Sequence, residues 1–482
     1  MTGSRFSGSK IRTAITYVSV LLGLLTFSFV VGSRSFQPKT FDFDLVAFYC
    51  GGAATAQSSD PYRVEPLRHC EHAVGSVFRA KSPLVVPDPL PPYDQAAFSL
   101  ISRVSYRGVQ WLWFIVELGA FVATVRLLSK MCVLPTFVVV CSLMVSEFYC
   151  SGILGQIVPV CLFGIVLAGW AFERQRYWTL TFALTLAMVE PHIGVPGLLS
   201  VLIWGGPLRS SAIVVATVLA AVSAMALPLD TIGEYFTTVI PAHALSEINN
   251  QEQLSLAYPL HLVGVPPEPA LLFAKIEYAT MLCLGVIIGK HASTKFGRPM
   301  ILWAPTVFVL LGGPFMHVTQ VVAAIPAALL MAGRAKSETA AYAIALLSIP
   351  WINYADVLTV IPFAAGALFV ILRQLCRLDV RNAMILVLAA CAFVVGSAIY
   401  VALHITYAHP IYGNVLTTSI AESTWKVVVD SDRQGHPLLS AIAKIPTVGA
   451  LMAIVAVIIG RLRRDSFAVC AHDGRRLEAV PL

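Results

Sequence analysis

Long apolar runs, separated by short polar connections from one end of the chain to the other, constrain this sequence more than any single motif. A segment of about 20 apolar residues spans a bilayer as a helix. Backbone groups in lipid must bond within their own segment, so helices are the solution for runs of this length. Only 12% of the 482 residues are Asp, Glu, Lys or Arg, and 57% are hydrophobic. Soluble domains carry about 25% charge. The deficit extends along the whole chain, which predicts an all-α polytopic membrane protein and not a soluble domain with an anchor.

Arg5, Lys10 and Arg12 precede the first run, "IRTAITYVSVLLGLLTFSFVVG". Its length and the lack of a small-residue cleavage site favour a first transmembrane helix at 11–32 over a signal peptide. Basic clusters recur at Arg126 and Lys130, Arg174 and Arg176, Arg209, Lys290 to Arg298, Arg334 and Lys336, Arg373 to Arg381, and Arg461 to Arg464. Placed together on the cytoplasmic side, they give about 12 to 14 crossings. A long outer loop then covers 33–108, the bundle 109–460, further outer loops 228–268 and 405–440, and a cytoplasmic tail 461–482. Runs 177–189 and 193–206 are shorter than the ~17 residues of a full span and suit broken or re-entrant helices. The net charge of +7 lies mostly in these clusters, so it signals orientation and not nucleic-acid binding.

In this arrangement the unusual polar residues gather on the outer side. Asp42 and Asp44 lie in "FDFDLVAFYCGG"; Glu190 and His192 in "MVEPHIGVPG"; His317 in "GGPFMHVTQ". Glu147 and Gln156 flank "SEFYCSGILGQIVP", and Asn249, Asn250, Gln251 and Gln253 occupy "INNQEQLSL". Asp42 and Asp44 admit three readings: markers of the membrane boundary, a general base with its supporting group, or hard-oxygen ligands of a divalent cation. Each histidine suits a structural role as well as a functional one. Cys50 and Cys70 would share an oxidising compartment and are candidates for a disulfide, with Cys150 as a competing partner.

The order of local motifs resembles the GT-C glycosyltransferases, in particular the bacterial polyprenyl-phosphate-sugar-dependent mannosyltransferase-like group, family 87-like. Asp44 stands four residues before Phe48-Tyr49. "DPY" follows at 60–62, a Pro-Pro-Tyr return at 91–93, "GQIVP" at 155–159, "EPHIGVP" at 190–196, "QLSL" at 253–256, and a His-bearing loop at 312–317. Where the family usually has Lys-Pro, this chain has Glu190-Pro191, an anion in place of a cation.

The resemblance implies a GT-C-like bundle that transfers a sugar, mannose or another hexose or pentose, from a polyprenyl phosphate to a lipid or glycan acceptor. Transfer would occur at the periplasmic face of a bacterial inner membrane, with inversion. Asp44 would be the base, supported by Asp42 and Glu190. His192, His317, Arg107 and Gln156 would face the donor phosphate or sugar, and neither metal nor cofactor is expected. A ligase for lipid-linked glycans or head groups, or a lipid or solute transporter, are the alternatives. A transporter would place its ionisable groups near the bilayer midplane.

Overall fold

The computed structural model describes residues 43–74, 85–144, 155–249, 253–314, 316–349, 351, 357–404 and 437–476. The first helix at 11–32, Asp42, Glu147, Cys150, Asn250, Gln251 and most of the 405–440 loop lie outside them. The chain is helical, and the sole β-type pairing among the described residues is an isolated antiparallel bridge between Gln253 and His317.

Five helices are long and apolar enough to cross a bilayer, including Tyr106–Cys132, Pro267–Phe296 and the Ala441–Gly460 stretch of the last helix. Seven apolar helices of 10–17 residues complete the set. Many crossings that window length suggests are therefore short helices inside the bundle, Tyr177–Ala187 and Pro191–Trp204 among them.

Small residues let these short helices approach closely, as they do where lipid supplies no hydrophobic drive for helix association. A Cβ on Gly164 would lie 2.5 Å from Ala187 N, and one on Gly194 2.3 Å from Ala187 O. Gly169 leaves room for the buried Trp303 ring, whose Nε1 donates to Ile165 O at 3.0 Å.

The bundle has two chemically distinct ends. At one, Arg334 Nε donates to Met131 O at 2.7 Å and Nη1 reaches Glu173 Oε1 at 3.1 Å. Its guanidinium also lies against Gly297. The basic connections after three separate helices thus meet at one end, as the charge pattern required.

At the other end the first loop forms a helical layer: α1 (Phe43–Ala56), α2 (Val64–Ala73) and α3 (Pro92–Ile101). Asp44 lies in the first turn of α1, where the positive end of the helix dipole favours an anion. Phe48 packs on Phe98 at 5.6 Å between ring centroids. The Gly51-Gly52 pair is explained by α3 and the segment before it: added Cβ atoms would strike the Asp88 carboxylate and, at 2.4 Å, the Phe98 backbone. Arg63 ties this layer to the next outer segment through Glu234 at 2.7 Å, and Tyr62 stacks on Tyr235 at 5.3 Å.

Gly52→Val must push α1 from α3, because the obstacle is backbone and not a flexible tip. It should destabilise the protein by about 1–3 kcal/mol, read as a lowered midpoint of thermal denaturation in detergent. Gly119→Val, where no atom lies within 4 Å, should leave that midpoint near the wild-type value.

Candidate active site

The α1–α3 layer rests on the outer ends of the short helices and converts scattered polar residues into one cluster. α4 (Val158–Glu173) begins just after Gln156, and Gln156 Nε2 donates to Asp44 Oδ2. This hydrogen bond joins positions 112 residues apart. Tyr93 of α3 donates to Met188 O at 2.7 Å and pins the layer over the corner between α5 (Tyr177–Ala187) and α6 (Pro191–Trp204). Glu190 occupies that corner as the residue preceding α6, and its carboxyl is buried within electrostatic reach of Asp44 and His317.

His192, in the first turn of α6, brings Nδ1 to 3.5 Å from Glu190 Oε2. Its side chain also hydrogen-bonds Gln320. Tyr278 holds the local backbone by donating to His192 O at 2.8 Å. Gln320 in turn forms a capping box with His317: its Oε1 accepts from His317 N–H at 2.9 Å, and its backbone N–H donates to the His317 ring. His317 Nε2 lies 3.1 Å from Glu247 Oε2, and His243 Nε2 lies 3.7 Å from Glu247 Oε1. His317 thus bridges Glu247 and the Gln320 backbone through its ring.

Burial governs the acids. It raises Glu190 to about 8, with His317 lowering and Asp44 raising it as smaller effects. Asp94, in the first turn of α3, is raised well above the ordinary carboxylate range by burial, then by Glu190 and Asp88. Asp88 is raised to about 7, again chiefly by burial, although it accepts from Gln95 Nε2 and from Leu90 N–H, both at 2.9 Å. A buried carboxyl in this environment holds its proton near neutral pH and can donate a hydrogen bond.

Of the residues singled out in the sequence, Asp44, Gln156, Glu190, His192 and His317 therefore meet. Arg107 stands exposed in the first turn of the Tyr106–Cys132 helix, outside the contacts that join the cluster. Asp42 lies outside the described residues. Cys50 and Cys70 form a disulfide that fastens α1 to α2, with Cα atoms 5.6 Å apart. Among the described residues, no group of three or more His, Cys, Asp and Glu is arranged to hold a metal ion.

Sequence reasoning passed over Asp88, Asp94, Gln320, Glu247 and His243. The available signal was in "VPDPLPPYDQ", two acids within an apolar, proline-rich return to the membrane, where solvation is poor.

Residues 91–350 match glycosyltransferase family 87. The chain belongs to this family. No curated protein and no solved structure matches it. It is a membrane glycosyltransferase, which sets aside the transporter reading. The matched segment contains Asp94, Arg107, Gln156, Glu190, His192, Glu247, His317 and Gln320, and begins after Asp44, Cys50 and Cys70. Asp44 thus lies outside the matched segment and is joined to it by the hydrogen bond from Gln156.

Proposed function

We propose that this glycosyltransferase moves a sugar, mannose or another hexose or pentose, from a polyprenyl phosphate to a hydroxyl of a lipid or glycan acceptor. The reaction takes place at the extracytoplasmic face of a bacterial inner membrane and inverts the anomeric centre. The observation that carries the reading is the Asp44 carboxylate, held by Gln156 beside Glu190 at the end of the bundle opposite the Arg334 junction.

Asp44 accepts the proton of the acceptor hydroxyl as that oxygen attacks the anomeric carbon. The bond from that carbon to the phosphate oxygen breaks on the opposite face, and the phosphate leaves with the electron pair. Donors aimed at the leaving oxygens lower the barrier. His192 and Gln156 are positioned to bond the donor, His317 shapes the site through Glu247 and Gln320, and Asp42 supports from the residues just before α1. An anion at position 190 would repel a phosphate where the family usually has lysine. Burial resolves the conflict, because a carboxyl titrating near 8 is largely protonated at pH 7 and can donate to the phosphate.

A pH prediction follows from the sign of that shift. The folded value lies above the ordinary 4.5, so native protein binds the extra proton. The linked stability is complete below about 4.5 and is lost as pH rises through about 8. Transfer activity should fall over the same upper limb. In Glu190→Gln, which stays neutral, the profile between pH 7 and 9 should flatten; a limb unchanged in that variant would remove Glu190 from the donor site.

The donor is tested with protein in lipid nanodiscs supplied with polyprenyl phosphates bearing radiolabelled sugars, beside the matching nucleotide sugars and a membrane-lipid acceptor extract. Labelled product from the polyprenyl donors alone is the expected result. Product from nucleotide sugars alone would overturn the reading.

A further inference from the structure

Among the described residues, the cluster around Asp44 is assembled from carboxyls, amides, imidazoles and tyrosines and contains neither lysine nor arginine. A leaving phosphate nevertheless develops negative charge. The described residues include one deeply buried cation, Lys444, which is 6% exposed. It lies in the last helix, Pro437–Arg476, seventeen residues before Arg461 at the basic end. At 1.5 Å per residue that is roughly 25 Å along the axis, which places Lys444 near the outer edge of the hydrocarbon core. An ammonium enclosed in protein at that level is costly unless a partner or ligand compensates it.

Lys444 Nζ sits 3.2 Å from the centroid of the Tyr258 ring. Tyr258 lies two residues beyond "QLSL", a motif the reaction described above leaves without a task. In that motif Gln253 and Ser255 are fully buried at 0% exposure. Gln253 Oε1 accepts from Met316 N–H, which fixes the side chain. Its Nε2 donor and the Ser255 hydroxyl have no hydrogen-bond partner among the described residues. A buried donor left unmade costs about 1–3 kcal/mol, so two in one turn point to a ligand that satisfies them. The turn is continuous with the catalytic cluster, because Gln253 pairs with His317 and Leu254 N–H donates to Met316 O at 2.6 Å.

We infer that Gln253, Ser255 and Lys444 form a seat for a lipid-borne phosphate, the head group of the polyprenyl donor. The seat would combine donors of complementary kind, an amide, a hydroxyl and an ammonium, with Tyr258 linking the Gln253–Ser255 turn to Lys444. At the outer edge of the hydrocarbon core a polyprenyl chain can remain in lipid while its phosphate enters the protein. The seat supplies the cation that Glu190 does not. This assignment rests on the polyprenyl-phosphate reading of the donor.

The test uses full-length protein in phosphatidylcholine nanodiscs and a radiolabelled polyprenyl phosphate without sugar, competed with the matching polyprenol, phosphatidylglycerol and inorganic phosphate. Wild type should prefer the polyprenyl phosphate to the polyprenol. Lys444→Gln should reduce that preference about 10- to 100-fold, the range expected for losing a charged hydrogen bond. Lys444→Arg should retain most of it, and Ser255→Ala should lose several-fold. If Lys444→Gln is not monodisperse, the arginine and Ser255→Ala variants carry the comparison.

An unchanged preference in Lys444→Gln, or in Ser255→Ala should that variant alone be usable, overturns the seat. So does equal competition by phosphatidylglycerol or inorganic phosphate, which would assign a generic anion site. Lys444-dependent phosphate binding without sugar transfer from any polyprenyl donor would leave the seat standing and sink the donor reading. Transfer with Lys444-independent binding would do the reverse.

Discussion

Asp44→Asn is expected to lower kcat by about 10²- to 10⁴-fold, the usual reach of a general base, with little change in KM for the donor. The reason for so clean an effect is structural. The replacement keeps the side chain's shape, and an Asn oxygen can still accept the hydrogen bond that Gln156 gives to Asp44. Asp44 also lies in the first turn of α1, whose packing depends on Phe48, Gly51 and Gly52 and not on the carboxylate. What is lost is the proton acceptor alone. Steady-state transfer at saturating donor, together with a thermal midpoint unchanged from wild type, checks the prediction. Transfer within threefold of wild type would move the base elsewhere, and Glu190 and Asp94 would then be the carboxyls to test.

Removal of the Cys50–Cys70 bridge should produce the largest loss of stability. The bond closes a loop between cysteines 20 residues apart, for which a constraint on the unfolded chain is worth on the order of 3 kcal/mol. The double variant Cys50→Ala/Cys70→Ala avoids a stray thiol and should show a thermal midpoint several degrees lower. Wild-type protein treated with reductant should descend to the same midpoint. Because α1 remains packed on α3 through Phe48 and Phe98, transfer at low temperature should fall less than tenfold. The bridge also reports its compartment, since disulfides persist in oxidising surroundings. In protein isolated from cells under alkylating conditions, Cys50 and Cys70 should resist labelling until reduced. Immediate labelling of both would place the first loop on the cytoplasmic side and reverse the orientation of the site.

The two acid systems at the outer end separate by environment. Asp44 stands half-buried at a helix start, whereas Glu190 and Asp94 are enclosed between α3 and the α5–α6 corner, where burial favours the neutral carboxyl. One group suits proton acceptance and the other hydrogen-bond donation, from the same functional chemistry. This division would let a carboxyl serve at position 190, where the resemblance implies a lysine.

The sequence by itself determined the membrane class, because a chain this poor in charge and divided into apolar runs has no soluble solution. Charge bias along the chain also separated the two ends. Arg126 to Lys130, Arg174 and Arg334 lie beside helix ends that meet at the Arg334 junction, while Asp44, Gln156, Glu190, His192 and His317 share the other end. Those properties are written locally, in single segments and their flanks.

Contacts between distant segments were decided by the tertiary structure. Apolar helices buried on several sides carry no amphipathic stripe to show which neighbour each faces, so pairs such as Asp44–Gln156 and Glu247–His317 leave no trace in spacing. The protonation of Glu190 likewise depends on the α3 layer closing over its corner, and the place of Lys444 depends on the last helix packing against Tyr258. Helix and sidedness are properties of local composition. Partnership, burial and the resulting charge state arise only when segments more than a hundred residues apart are packed together.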